Sequence, residues 1–281
     1  MSVSEHPPSG GLVPPKGGSG GLVPPIGGPP GGQSSGMGGA RPPSPLAPGA
    51  NTASAPVTSV HLLVRYAKRG KMRFASHLDV ARAFERGVRR AGLPIAYSAG
   101  FTPHPKISYA GGAPTGVASE AEYLSLALTS RIEADIARER LNAALPDGID
   151  VIVVTEDTGG LPASRLTASE WQVTLPGVTP DSVTPIVQKF LALTEAPVER
   201  LTSKGLRRMD ARSAVVTLDV HADVDEATAL RMVVRHTSPA VRPDDVLSAL
   251  RDVSDVIPTE PQLVTRLAQG SLGESGTVVD L

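Results

Sequence analysis

The chain has 281 residues, no cysteine and a formal net charge of −1, with 27 Lys and Arg against 28 Asp and Glu. Without cysteine there is no disulfide framework, thiolate zinc site, iron–sulfur cluster or cysteine nucleophile. One Trp, four Tyr and four Phe are too few for an extended base-stacking platform, and no run of about 18 apolar residues is present to span a membrane.

Residues 1–58 hold 14 of the 29 Gly and 13 of the 27 Pro, the content of a disordered tail. Inside it, residues 10–19 and 20–29 repeat a Gly-Gly-Leu-Val-Pro-Pro unit. Pro-Pro favours polyproline II and the flanking Gly pairs bend freely, so the segment reads as a tether. A docking motif in two copies and expanded low-complexity sequence both fit the repeat. Glu5 and His6 do not belong to a secretory signal, so the expected setting is soluble and cytoplasmic, with no membrane.

Order is expected from Val60. Residues 60–66 alternate, with Val60, Leu62, Val64 and Tyr66 on one side, as in a half-buried strand. Ser76-His77-Leu78-Asp79 matches a capping box that opens a helix ending at Gly92. Strands follow at 106–110 and 121–128, joined by a Gly-rich hairpin connection over 111–116. Ser130 to Glu133 matches a second capping box, opening a helix that stops before Pro146, and 149–155 closes the unit as a strand. The second stretch repeats the order: a strand at 171–175, a helix after Pro180 or Pro185, an irregular run over 197–212, strands at 213–221 and 229–236, a helix from Pro243 and a last strand at 263–268. The expected fold class is α+β, with two tandem ferredoxin-like (βαββαβ) halves at 59–158 and 168–270, preceded by the tail and followed by a flexible end at 271–281.

The near-zero net charge hides a separation. From Arg65 to Lys106 ten basic residues face only Asp79 and Glu85, a local charge of +8; from Ile107 to Gly160 the balance is −6. On a helical projection Arg82, Arg86, Arg89 and Arg90 fall within a wedge of about 100°, away from Ala81, Phe84, Val88 and Ala91. Like charges at that spacing repel by a few tenths of a kcal/mol per pair, and guanidinium groups suit bidentate contact with phosphate oxygens. Phosphate contact and a plain solvated face both account for them.

Each half also places a basic loop between its first helix and second strand. The first carries Tyr97, Phe101, His104 and Lys106; the second carries Lys204, Arg207 and Arg208 between Arg200 and Arg212. Aromatic and basic side chains together suit an unstacked RNA base. With Arg73 and the four helix arginines, these are the candidate nucleic-acid-binding residues.

Chemistry is sparse. Ser76 and Asp79 read as a structural cap. Asp79 lies about 160° from His77 on a regular helix, so the two cannot ligate one ion from it. His104, fixed between Pro103 and Pro105, and Lys106 are the pair that an enzyme would use as base and cation. The segment 111–116 lacks the Lys-Ser/Thr ending of a Walker loop. No metal and no cofactor are expected.

Several stretches resemble one family. They are Arg65-Tyr-x-Lys-x-Gly-x-Met-Arg73-Phe-x-Ser-His-Leu-Asp79, Arg-Arg-Ala-Gly-Leu-Pro94, Tyr97-Ser-x-Gly-Phe-Thr-Pro-His-Pro-Lys-Ile-Ser108, Pro114-x-Gly116 and Glu122-Tyr123-Leu124. Together they resemble the radical-SAM-linked (radical-SAM-associated) bacterial domain of unknown function, over roughly 58–270. Tyr109 stands where that family often has Phe, and Ser125 where an acid is common. In some members the domain is fused behind a radical S-adenosylmethionine enzyme. In others it stands alone, often encoded beside a ribonuclease E/G type protein, and this chain reads as the stand-alone type. The resemblance implies a partner role around RNA modification or processing. The leading expectation is a non-catalytic RNA-binding or adaptor module. The alternatives are an interaction subunit for a radical-SAM enzyme or ribonuclease, and a metal-independent endoribonuclease.

Overall fold

The computed structural model describes residues 60–157, 161, 163–203, 205–222, 227–259 and 262–281. The Gly/Pro-rich segment 1–58 lies outside the described residues. The first set of elements is β1 (Val60–Lys68), a 3-10 turn (Gly70–Phe74), α1 (His77–Arg90), β2 (Ile107–Ala110), β3 (Ala118–Leu128), α2 (Ala134–Ala144) and β4 (Ile149–Asp157). The second is β5 (Ala168–Leu175), α3 (Pro180–Ala192), β6 (Pro197–Thr202), β7 (Gly205–Asp210), α4 (Ala211–Ala214), β8 (Val215–Ala222), β9 (Thr228–Arg235), α5 (Pro243–Val253), β10 (Leu263–Leu272) and β11 (Val278–Asp280). The fold is α+β: one large, mostly antiparallel sheet with few helices.

The sheet runs β4-β1-β3-β10-β5-β9-β8, with β2 added to β3 and β11 to β10. One junction is parallel. There β3 meets β10 at Ala118↔Thr265 and Ser119↔Arg266, while its residues 123–126 pair with β2. Two four-stranded sets, β4-β1-β3-β2 and β10-β5-β9-β8, are therefore joined through one shared strand edge.

Alternation builds the first core. Leu62, Val64 and Tyr66 of β1 and Leu124, Leu126 and Leu128 of β3 point to one face, where Val80, Ala83, Phe84 and Val88 of α1 cover them. A second core joins Val173 and Leu175 of β5 to Val183, Ile186, Val187 and Phe190 of α3 and Val246, Leu247 and Leu250 of α5. Each such aliphatic or aromatic side chain gives about 1.5–3 kcal/mol on burial. The opposite face of β1 and β3 is covered locally by Leu63, Ala121, Tyr123 and Leu166. This cluster and the 96–108 segment beside Ser125 and Ala127 leave β3 buried without a break from Ala121 to Leu128.

The Ser76 box forms as read: Ser76 Oγ accepts from the Asp79 amide at 3.2 Å and Asp79 Oδ2 from the Ser76 amide at 3.1 Å. The Ser130 box does not. Glu133 is itself the N-cap residue of α2 and makes no side-chain cap, and Arg131 is held instead by Glu156 on β4 at 2.6 Å. The run expected to be irregular over 197–212 is the hairpin β6–β7 and the turn α4, because Val198 and Met209 face each other inward between charged neighbours. Residues 271–281, expected to be flexible, turn back as β11, where the Tyr123 hydroxyl donates to Asp280 at 3.2 Å and Arg65 pairs with the same carboxylate.

Gly270 permits that return, since a Cβ there would sit 1.9 Å from the Val279 carbonyl oxygen. Gly270→Ala is expected to lower stability by about 1–3 kcal/mol in urea unfolding, with faster amide exchange at residues 278–280.

Candidate functional site

α1 divides its faces as its sequence demands. Val80, Ala83, Phe84, Gly87 and Val88 are buried and Arg82, Arg86, Arg89 and Arg90 are exposed. The Arg90 guanidinium donates to the Ala144 carbonyl at 3.1 Å, closing the end of α2. Among the described residues, Arg82, Arg86 and Arg89 make no hydrogen bond or ion pair. Arg73 folds over the Phe74 ring, 4.6 Å from its centroid.

The loop after α1 is more ordered than its composition suggests. Tyr97 bridges Pro105, the Ser98 amide donates to the His104 carbonyl at 2.9 Å and the His104 amide to Ser98 Oγ at 3.0 Å. These bonds pin a hairpin whose tip carries Phe101, fully exposed, with Tyr97, His104 and Lys106 also exposed on its arms. In the second half, the β6–β7 hairpin presents the cross-strand pair Leu201 and Leu206 to solvent, beside exposed Arg207 and Arg208. Arg208 pairs with Glu199 at 3.2 Å. Arg200 and Arg212 are spent on structure, the first on Asp245 and the Ala240 carbonyl, the second on the carbonyls of Leu191 and Val215. Lys204 lies outside the described residues.

Strand polarity relates the two hairpins. β1 is antiparallel to β3, β3 parallel to β10 and β10 antiparallel to β5, so β1 and β5 point the same way. The helix after each returns the chain to the same end of the sheet, and both basic hairpins start there.

His104 and Lys106 line a cavity of about 320 Å³ together with Ser98, Ser108, His61 and Ser125. His61, which sequence reasoning passed over, lies on the outer face of β1 with Nδ1 3.4 Å from Ser125 Oγ. His77 turns away from Asp79 and sets its ring edge-on to Tyr109, 5.2 Å between centroids. Among the described residues no three His, Asp or Glu side chains are placed to hold a metal ion, and no helix is long and apolar enough to cross a membrane.

A third feature lies at the β3–β10 junction. Arg266 and Glu122, each side chain 4% exposed, form an ion pair. The guanidinium also donates to Ser119 Oγ at 3.2 Å and the Gly111 carbonyl at 2.5 Å, and lies 5.4 Å from the Trp171 ring centroid. Glu122 accepts from the Ala113 amide at 3.2 Å. Lys68, at the end of β1 and 3% exposed, donates to the carbonyls of Ala113 at 3.2 Å and Pro114 at 3.4 Å. Burial holds its ammonium below the usual lysine range. The hairpin connection over 111–116 is thus gripped by three charged side chains from three strands. Gly111 fits there with φ of +60°, where a Cβ would meet the Gln269 amide at 1.9 Å.

The sequence matches a family model over residues 61–243, described as "Uncharacterized protein conserved in bacteria (DUF2344)". The chain belongs to this family. No curated protein matches it. Among solved structures it is similar to a chain of "Crystal Structure of a Cbf5-Nop10-Gar1 Complex", at 11% identity and a TM-score of 0.42, with 80% of this chain and 53% of that chain covered. This chain therefore spans about half the length of that one.

The DUF2344 span takes in the basic helix, both hairpins, Lys68 and Glu122, and stops at the first residue of α5, before Arg266. Sequence reasoning missed the buried network because its members are far apart: Glu122 and Arg266 are separated by 144 residues. The available signal was a lysine at the end of β1 on the same strand as the apolar run Leu62 to Val64.

Two outcomes are expected. Glu122→Gln leaves Arg266 and Lys68 as buried cations without a carboxylate, and should cost about 3–5 kcal/mol in urea unfolding. His236 offers a pH test. One ring nitrogen lies 2.7 Å from the Leu166 carbonyl and the other 2.8 Å from Ser169 Oγ, and burial lowers its pKa below the usual histidine value. Below that value the unfolded chain takes up the proton more readily than the folded one. The stability advantage of the parent over His236→Gln should therefore shrink as pH falls from about 7 to 5.

Proposed function

We propose that the protein is a non-catalytic RNA-binding or adaptor module, built from two ferredoxin-like halves and acting beside an RNA-modifying or RNA-processing enzyme. One observation carries the RNA reading: a pinned hairpin exposing Phe101, Tyr97, His104 and Lys106 follows directly on a helix with three exposed arginines that make no ion pair among the described residues. Guanidinium groups grip phosphate while an exposed ring receives an unstacked base, and the rigid hairpin keeps the ordering cost low. The strand orders β4-β1-β3-β2 and β10-β5-β9-β8, with βαββαβ connectivity in each set, support the two-half description. The Arg207 and Arg208 hairpin, starting from the same end of the sheet, extends the surface available to a longer strand. The resemblance to the radical-SAM-linked family supports a radical-SAM enzyme or a ribonuclease E/G type protein as the neighbour.

A second reading, metal-independent endoribonuclease, draws on the cavity that joins His61, His104 and Lys106. It requires RNA cleavage that disappears in His104→Ala while binding persists.

The binding reading is tested by anisotropy with fluorescent single-stranded RNA at several salt concentrations. The parent should bind with affinity that falls as salt rises. The Arg82/Arg86/Arg89→Glu variant should lose binding, Arg90 being spared because it closes α2. Phe101→Ala should weaken binding about 5- to 150-fold, the equivalent of roughly 1–3 kcal/mol for one stacked base. Parental affinity in the charge-reversed variant would remove the arginine face from the site.

A further inference from the structure

The Lys68 end of the buried network opens on a cavity of about 270 Å³, lined by Tyr66, Lys68, His77, Val80, Gly112, Ala113 and Glu122. The charges around it do not balance. Glu122 gives its oxygens to Arg266 and the Ala113 amide. Among the described residues Lys68 has two carbonyl oxygens as hydrogen-bond partners and no carboxylate, so two buried cations share one buried carboxylate. An ammonium removed from water without a counter-ion is costly, and a free anion beside it repays that cost. Tyr66, itself almost wholly buried, makes no hydrogen bond among the described residues, and its hydroxyl is available to the cavity. His77 borders the same space as the first residue of α1, whose N-terminal dipole favours negative charge.

We propose that this cavity binds the oxyanion group, carboxylate or phosphate, of a small molecule, with Lys68 as counter-charge and Tyr66 and His77 as hydrogen-bonding partners. The volume lies just under the roughly 300 Å³ at which ordinary ligand pockets begin, which suits a metabolite-sized guest. Lys68 is too deeply buried for a polymer backbone to lie across it. Glu122 orients the guest: its carboxylate repels an anion from the Arg266 side and leaves the Lys68 side favourable. The site is separate from the arginine face and does not depend on the RNA reading.

The test uses the full chain and two probes, inorganic phosphate and acetate, titrated by calorimetry against sodium chloride at matched ionic strength. Saturable heat with one or both oxyanions is expected, and the stronger probe names the group. Lys68→Met should lose at least about tenfold in affinity, and the nearly isosteric Tyr66→Phe should weaken binding several-fold with its unfolding midpoint kept. The Arg82/Arg86/Arg89→Glu variant should bind the oxyanion like the parent, which separates this site from the RNA surface. Should Lys68→Met not fold, Tyr66→Phe and the phosphate- or acetate-dependent shift of the His77 ring resonances decide. No heat beyond the chloride control, or unchanged affinity in Tyr66→Phe together with a stationary His77 resonance, would overturn the proposal and leave a purely structural network.

Discussion

The sheet holds together through an ion pair that has left water. Arg266 and Glu122 meet where β3 and β10 run side by side for two residue pairs, too short a ladder to join two halves by backbone bonds alone. Desolvating both ions costs several kcal/mol each, so the arrangement is tolerable only because the remaining donors and acceptors are met. The guanidinium reaches Ser119, the Gly111 carbonyl and the face of Trp171, and the carboxylate takes the Ala113 amide. The contacts tie β3, β5, β10 and the 111–116 connection to one another, and together they fix the register of the seam, the path of the connection and the placement of Lys68.

The charge separation along the chain means something different once folded. Two cations of the positive stretch are neutralised on folding: Arg69 pairs with Glu120 and Asp150 of the negative stretch, and Arg65 is taken by Asp280 from the far end. These partly exposed pairs add little stability individually. Their effect is to remove cations from the inventory of free charge. Among the described residues of that stretch, Arg82, Arg86 and Arg89 along one helix, together with Lys71 and Lys106, make no side-chain hydrogen bond or ion pair. The local excess of +8 therefore overstates the free basic surface, because part of it is spent in ion pairs and buried contacts.

Elements with strong local signals were legible. β1 announced itself by alternation and α1 by its capping box and apolar stripe. The β6–β7 hairpin was not, because Arg200, Arg207 and Arg208 interrupt the run in which Val198 and Met209 turn inward. The second capping box did not form: α2 starts one turn later, with Glu133 as its N-cap, and Arg131 pairs with Glu156 on β4. At the candidate site, the arginine face and the aromatic loop could be read because each is contiguous in sequence. The Lys68, Glu122 and Arg266 network could not, since strands from both ends of the domain bring it together.

The shortness of β2 has a consequence for how the two strand sets share one sheet. β2 covers four positions on an edge that β3 extends over eleven. Gly111, with its positive φ, turns the backbone out of the ladder before β2 can occupy the rest. The vacated edge is where β10 docks. A longer β2 would have covered that edge, and the β10-β5-β9-β8 strands would have had no free edge of β3 to pair with. Early termination of one strand is what lets both strand sets share a single sheet.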